Sequence, residues 1–188
     1  MGIEGRCVSV CQWTVGRKMK IRLAKENDLS RIMEIIHQAQ EYFRGAGIDQ
    51  WQNNYPNEEA ILKDIALQES FVLEKDGQVV GTFMASFRPE PTYEKIYDGQ
   101  WLTDGAYAVI HRVAMDNQVK GNGFGGQVVQ FMVDQCLAQH PPVLSLRGDT
   151  HHDNKSMQRL FGKNGYQHCG TIFLADGAKR MAFEKLLS

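Results

Sequence analysis

The sequence has no apolar run near the ~20 residues a bilayer-spanning helix requires, which excludes a helical membrane protein. Net charge is nearly absent as well: 21 Lys and Arg stand against 22 Asp and Glu, leaving -1. No global basic field exists to draw nucleic acid or an anionic membrane, so any anion site must be local. Cysteine is sparse. Cys7, Cys11, Cys136 and Cys169 are too few for a disulfide scaffold in 188 residues, which points to a reducing compartment, the cytoplasm. Low-complexity tracts and internal repeats are missing too, and 43% apolar with 23% charged residues excludes disorder.

What is present is one domain's worth of chain. Residues 1–18 read as a leader outside the fold, and 19–188 as the domain. Arg6, Arg17 and Lys18 lie in the leader, but Gln12 and Gly16 break its apolar stretch, so it is no signal peptide. Ile3-Glu-Gly-Arg6 looks like a protease-cleavage tag, with chance or an upstream start codon as alternatives. From Met19 a short alternating strand precedes a helix capped by Asn27 or Asp28, whose Leu29, Ile32, Met33, Ile36 and Phe43 recur at helical spacing. A polar-aromatic loop over 47–56 and a short helix over 57–68 follow. Asp76-Gly77 joins two strands in a hairpin. Residues 90–105 form a loop, 107–115 a strand and 123–139 a largely buried helix. A strand over 143–147, a helix over 154–164 and strands over 166–174 and 179–185 complete the pattern. The class is α/β or α+β, with helices on both faces of a mixed sheet.

Residues 113–126, Val-Ala-Met-Asp-Asn-Gln-Val-Lys-Gly-Asn-Gly-Phe-Gly-Gly, run from a strand through a glycine-rich turn into a helix. Amides without intrahelical partners converge there with the positive end of the helix dipole, an arrangement that suits a pyrophosphate. Gly121, Gly123 and Gly126 satisfy G-x-G-x-x-G, and Asp149 stands where a dinucleotide fold places its ribose-binding acid. Against that nicotinamide reading, the five residues 116–120 separate strand from glycines, whereas the dinucleotide fingerprint turns almost directly out of its strand.

Lys120-x-x-Gly123-x-Gly125, preceded by the strand ending Val113-Ala-Met115, resembles the Q/R-x-x-G-x-G/A motif of the GNAT N-acetyltransferases. Asn154 with the helix ending Leu160-Phe161-Gly-Lys-Asn-Gly-Tyr166 is similar to that family's second motif, in the right order. The resemblance covers 19–188 and implies a mostly antiparallel twisted sheet of about seven strands, with a central pair splayed apart and helices on both faces. It further implies acetyl-CoA as cosubstrate, its pyrophosphate on Lys120, Gly121, Asn122, Gly123, Phe124, Gly125 and Gly126. The backbone of Val113, Ala114 and Met115 would pair with pantetheine, and Asn154 and Phe161 would contact the cofactor from the next helix. Two departures stand out: Lys120 replaces the usual Arg or Gln, and Phe161 replaces a tyrosine that in many members protonates the leaving thiolate.

Acetyl transfer to an amine of pKa about 10 needs a base. Alternation puts Val109, His111, Val113 and Met115 on one face, where His111 is the one titratable group. Some members carry a glutamate where Val109 stands, while arylalkylamine acetyltransferases carry a histidine at the place of His111. A histidine hydrogen-bonded within the sheet is the bland alternative. The resemblance assigns the Val113 N–H to the oxyanion. Trp51, Tyr55, Tyr93, Tyr97 and Trp101, with Asp49, Glu94, Asp98 and Asp104 among them, could form an amine pocket or merely pack the loops. His151-His152-Asp153 reads as a polar turn rather than a metal site. The expectation is an N-acetyltransferase acting on a small-molecule primary amine, without nucleic-acid or membrane partners, and as a homodimer if it pairs. A catalytically silent acyl-CoA-binding module and an NAD-dependent enzyme are the alternatives.

Overall fold

The computed structural model describes residues 13–15 and 19–187; the tag-like segment, Cys7 and Cys11 lie outside the described residues. The chain forms two units, one from the described parts of Ser9–Ala85 with His111–Phe131, the other from Ser86–Ile110 with Met132–Ser188. They are called the N-terminal and C-terminal units below.

In the N-terminal unit, strand β1 (Trp13–Val15) pairs antiparallel with β2 (Met19–Leu23). The sheet therefore begins inside the segment read as a leader, a correction to a fold start at Met19. Helix α1 (Leu29–Gly45) buries Ile32, Ile35 and Ile36 completely, each burial contributing about 1.5–3 kcal/mol. Asp28 precedes α1 without capping its amides, because its carboxylate accepts from the Lys25 N–H and pairs with Arg22 at 2.8 Å. Asn57 does cap α2 (Glu58–Ala66), its side chain accepting from the Ala60 N–H. Ile32, Met33 and Ile36 then pack with Ile61, Val72 and Ala24 into one apolar cluster. Strands β3 (Ser70–Lys75) and β4 (Gln78–Ser86) meet at Asp76 and Gly77, whose φ of 51° and 80° are those of a tight two-residue hairpin turn.

Strand β5 (Ala108–Met115) begins in the C-terminal unit and ends in the N-terminal one, and helix α3 (Phe124–Leu137) begins in the N-terminal unit and ends in the C-terminal one. In the C-terminal unit β5 is followed in space by β6 (Ser145–Thr150), β8 (Lys179–Leu186) and β7 (Gln167–Phe173), with helix α4 (Lys155–Lys163) between β6 and β7 in sequence. The β5–β6 pair is parallel and registered only at Ala108↔Leu146 and Val109↔Arg147; β6–β8 and β7–β8 are antiparallel throughout. This is the mostly antiparallel mixed α/β sheet expected, with β2 to β8 as the seven strands and β1 as an eighth. β6 starts later than the 143–147 expected, because the Val143 N–H folds back onto the Cys136 carbonyl at 3.0 Å.

The 90–105 segment is fastened to its own unit. Tyr93 is buried with Val109, Ile172 and Ala182, and its hydroxyl donates to Asp149 at 2.7 Å. Arg147 lies between the rings of Trp101 and Tyr107, 4.2 and 4.0 Å from their centroids, and donates to the fully buried Glu184 at 2.9 Å. Glu184 also accepts from the Ser145 hydroxyl and the Leu102 N–H, so this buried pair has further donors to offset its desolvation. Tyr97 bridges to Thr171 through reciprocal N–H···O bonds of 2.8 and 2.7 Å, and the Gln100 N–H reaches the Cys169 carbonyl at 3.0 Å. No helix among the described residues is long and apolar enough to cross a membrane.

Candidate active site

The site begins with an irregularity in β5. Arg112 has φ of 52°, in the left-handed region that a long side chain rarely occupies. Such a residue makes a bulge, bending the strand and interrupting its alternation. The expected common face of Val109, His111, Val113 and Met115 is broken there: Val109 packs with Tyr93, while His111 and Val113 flank the bulge half-buried. The Arg112 guanidinium donates to both Asp64 oxygens, at 2.9 and 2.7 Å, and to the Tyr55 hydroxyl at 2.6 Å. Asp64, on α2, is only 4% exposed. Sequence reasoning missed both Arg112 and Asp64; they are 48 residues apart and carry no local motif.

From Met115 the chain passes through Asp116, which accepts from the Gln118 N–H (2.8 Å), Gln38 (3.2 Å) and Arg31 (2.6 Å). Burial alone would raise the Asp116 carboxyl, but these three donors outweigh it and hold it below the ordinary 3.8. A short 3-10 turn (Asn117–Val119) leads to the glycine loop. Gly121 and Gly123 have φ of 86° and 78°, and a Cβ on either would meet nothing within 4 Å. The two glycines thus turn the backbone toward open space where α3 begins. Asn122 donates to the Val119 carbonyl at 3.0 Å, and the Gly126 N–H to that of Gly123 at 3.0 Å. The Lys120 ammonium sits 5.1 Å from the Tyr42 ring centre, and partial burial lowers its pKa below the ordinary lysine value. Phe124 and Gly125 open α3, where N–H groups have no intrahelical acceptor, while the Gly126 N–H is already taken by the Gly123 carbonyl. Glycines without steric bulk, a helix N-terminus and one cation together fit a phosphoanhydride.

The N-terminal unit also holds Trp51 and Tyr55. Trp51 stacks edge-on against Phe43 at 5.6 Å, and Tyr55 is 44% exposed above Arg112. Their loop runs into a pocket of about 620 Å³ between α1 and α2, lined by His37, Gln40, Asn57, Glu58 and Glu59 among others. His111, Val113, Ala114, Met115 and the 120–126 loop belong to this same unit.

The remaining expected site residues lie in the C-terminal unit. The Asn154 side chain caps α4, accepting from the Met157 N–H at 3.0 Å. Phe161 is 1% exposed, stacked on Phe183 at 4.9 Å and tilted against Tyr166 at 4.8 Å, which is the position of a core ring. Burial drives the Tyr166 phenol pKa well up, with Cys136 adding to it, and pushes the Cys136 thiol to about 12. Tyr97 packs edge-on against Phe173, and the Trp101 indole donates to the Tyr93 carbonyl at 3.0 Å. Asp149, the supposed ribose acid of a dinucleotide fold, is occupied by the Tyr93 hydroxyl. His151, His152 and Asp153 bring ligand atoms within 4.8 Å of one another, but the Asp153 carboxylate pairs with His152 at 3.0 Å and two of the three are exposed.

A profile of the acetyltransferase (GNAT) family matches residues 30–166. The crystal structure of a GNAT-family acetyltransferase from Streptococcus agalactiae is 33% identical, with a TM-score of 0.85 over 95% of this chain and 99% of that one. A GNAT-family acetyltransferase from Listeria monocytogenes is 18% identical, with a TM-score of 0.71 over 94% of this chain and 100% of that one. yncA from Salmonella typhimurium, solved with its cofactor acetyl-CoA, is 16% identical, with a TM-score of 0.63 over 90% of this chain and 94% of that one. A comparison with curated proteins finds no match.

Proposed function

The chain belongs to the GNAT family of acetyltransferases, and from that premise we propose that it transfers the acetyl group of acetyl-CoA to a primary amine of a small molecule, by direct attack in a ternary complex. The observation that carries this reading is the glycine loop: Gly121 and Gly123 in left-handed conformations, open toward solvent, at the start of α3. The family membership removes the NAD-dependent alternative, and the engagement of Asp149 by Tyr93 is its local reason.

In this mechanism Lys120 and the amides of Gly121 to Gly125 hold the pyrophosphate, with Asn122 and Phe124 shaping the turn and Gly126, its N–H on the Gly123 carbonyl, contributing its lack of a side chain. Val113, Ala114 and Met115 pair with pantetheine through their backbone; in the other unit Asn154 fixes the start of α4 and Phe161 packs in the core. His111 accepts the proton that an ammonium must lose, directly or through water, because an amine of pKa about 10 is protonated nearly a thousand to one at neutral pH. The freed lone pair attacks the thioester carbon, and the Val113 N–H donates to the carbonyl oxygen as it becomes an oxyanion. The C–S bond then breaks, thiolate leaves, and the proton still carried by the acylated nitrogen passes to that thiolate, directly or through water, giving amide and free thiol. With a thiol pKa of about 8.5 that departure needs no strong acid, so the lack of a hydroxyl at Phe161 is compatible with turnover. Trp51 and Tyr55 face the acceptor, with Glu58 and Glu59 attracting its positive charge; Tyr97 and Trp101 serve chiefly to order the 90–105 segment. The setting is the cytoplasm, in keeping with the free, buried thiols of Cys136 and Cys169.

Calorimetric titration with acetyl-CoA, with NAD as comparator, followed by thiol release with a panel of amines, tests this reading. Saturable binding of acetyl-CoA with amine-dependent thiol release is expected. Binding without release from any amine would favour the silent acyl-CoA-binding module, and absence of binding would refute the assignment of the glycine loop.

A further inference from the structure

A long, charged residue in the left-handed region is strained and persists only where its surroundings hold it. Arg112 is in that state at φ 52°, in mid-strand and one residue before Val113. Three of its nitrogens are engaged. Nε and Nη2 form a bidentate fork on Asp64, and Nη1 donates to the Tyr55 hydroxyl, with the Tyr55 ring centre 5.7 Å from the guanidinium carbon. The fork matters because a planar guanidinium bound at two edges has one orientation, whereas a lysine ammonium would act as a point charge free to swing. Asp64 is a firm anchor: it sits on α2 and is almost wholly buried, and a buried carboxylate must keep its partner.

We infer that Arg112 is a positioning residue, and that its bidentate pair with Asp64 clamps the β5 bulge so that the Val113 N–H leaves the strand ladder and points at the thioester carbonyl. The inference rests on the acetyltransferase reading above. It adds two residues, Arg112 and Asp64, that act through the backbone of Val113. It also gives α2 a part in the chemistry, since the helix carrying Asp64 and the loop carrying Tyr55 together border the α1–α2 pocket. A bulge without its clamp can relax toward the ordinary strand conformation, which rotates that amide back toward a neighbouring strand.

The test needs no acceptor. The amide resonances of the full chain are followed by 15N–1H correlation spectroscopy during titration with acetyl-CoA and, separately, with CoA lacking the acetyl group. In the native protein the amides of Gly121 to Gly126 should shift with both ligands, and the Val113 amide proton should move downfield with acetyl-CoA alone. In Arg112→Lys the glycine amides should shift as in the native protein while the acetyl-dependent Val113 shift is lost. Asp64→Asn, which removes the anchor's charge at equal size, should do the same and replaces Arg112→Lys if that variant fails to fold. Persistence of the Val113 shift in the folded variants would overturn the clamp while leaving the enzyme assignment intact. Glycine amides that stay still in the native protein would overturn the assignment beneath it. Once an acceptor is known, Arg112→Lys should lower kcat roughly 10- to 100-fold with KM for acetyl-CoA little changed, short of the 10²–10³ lost with a whole oxyanion donor; equal losses in both constants would contradict positioning.

Discussion

Replacing Gly123 by alanine separates what the glycine loop does for the fold from what it does for the ligand. In the folded chain a Cβ at Gly123 meets nothing within 4 Å, so the only stability cost is the left-handed backbone at φ 78°, about 1–2 kcal/mol. For a chain of this size that corresponds to a melting temperature lower by about 2–8 °C. Gly77, in the β3–β4 turn, is a matched control: its φ is 80° and its Cβ direction is equally open, but it lies outside the proposed cradle. Gly77→Ala and Gly123→Ala should therefore melt alike. They should differ in calorimetry with acetyl-CoA. A methyl group at Gly123 occupies the space where phosphate oxygens approach the amides, and losing one charge-assisted hydrogen bond at about 1.5–3 kcal/mol weakens binding roughly 10- to 100-fold. Gly77→Ala should bind as the native protein does. Native affinity in Gly123→Ala would refute the cradle, and equal weakening in both variants would show that general loosening of the fold, not the pyrophosphate contact, sets the affinity.

Other perturbations address the chemistry and the packing. His111→Gln should retain acetyl-CoA affinity and lower kcat for amine acetylation by about 10²–10⁴-fold, and a native rate would remove His111 as the base. Phe161→Tyr places a hydroxyl in a 1%-exposed ring site; it should lower stability by about 1–3 kcal/mol in thermal unfolding and leave kcat no higher, whereas a faster enzyme would mean that this position reaches the leaving thiol. Because the folded-state pKa of Asp116 is depressed below 3.8, its stabilisation is complete above the unfolded value and is lost as pH falls through the folded one. The stability difference between native protein and Asp116→Asn should thus shrink as denaturation is measured at pH values progressively below about 4, and a difference that grows on acidification would contradict the sign.

Much of this architecture is legible in the residues because local chemistry decides it. Asp76-Gly77 is among the few pairs that accept two left-handed residues in succession, and the hairpin forms there. Gly121 and Gly123 supply the two left-handed conformations of the loop before α3, and the amphipathic spacing of α1 needs only one buried face. What escapes the sequence depends on distant partners. Nothing near Arg112 marks a bulge; no glycine or asparagine stands there, and its anchor comes from another helix. Trp101 and Tyr107 surround a cation, but it is the chain's own Arg147, so the aromatic signal for an amine pocket arose in part from internal packing. Asn154 matches the family's second motif, and in the fold its side chain caps α4, a role that local chemistry alone explains. β1 was missed because three residues are too few to show alternation.

The strap formed by Tyr97 to Gln100 has a consequence for how chains of this protein can meet. β7 is the last strand of its unit, and a bare last strand invites another chain to add itself, whether in an orderly pair or in unlimited aggregation. Here the invitation is withdrawn from within, since Tyr97 and Gln100 already occupy the hydrogen-bonding groups of Thr171 and Cys169. The approach is so close that a Cβ on Gly99 would fall 2.0 Å from the Cys169 carbonyl oxygen, and one on Gly170 2.5 Å from that of Tyr97. Two copies joined by continuing the sheet across this stretch would first have to peel the strap away, so it works as a guard against self-templating, and Gly99 and Gly170 are the residues whose replacement would unfasten it.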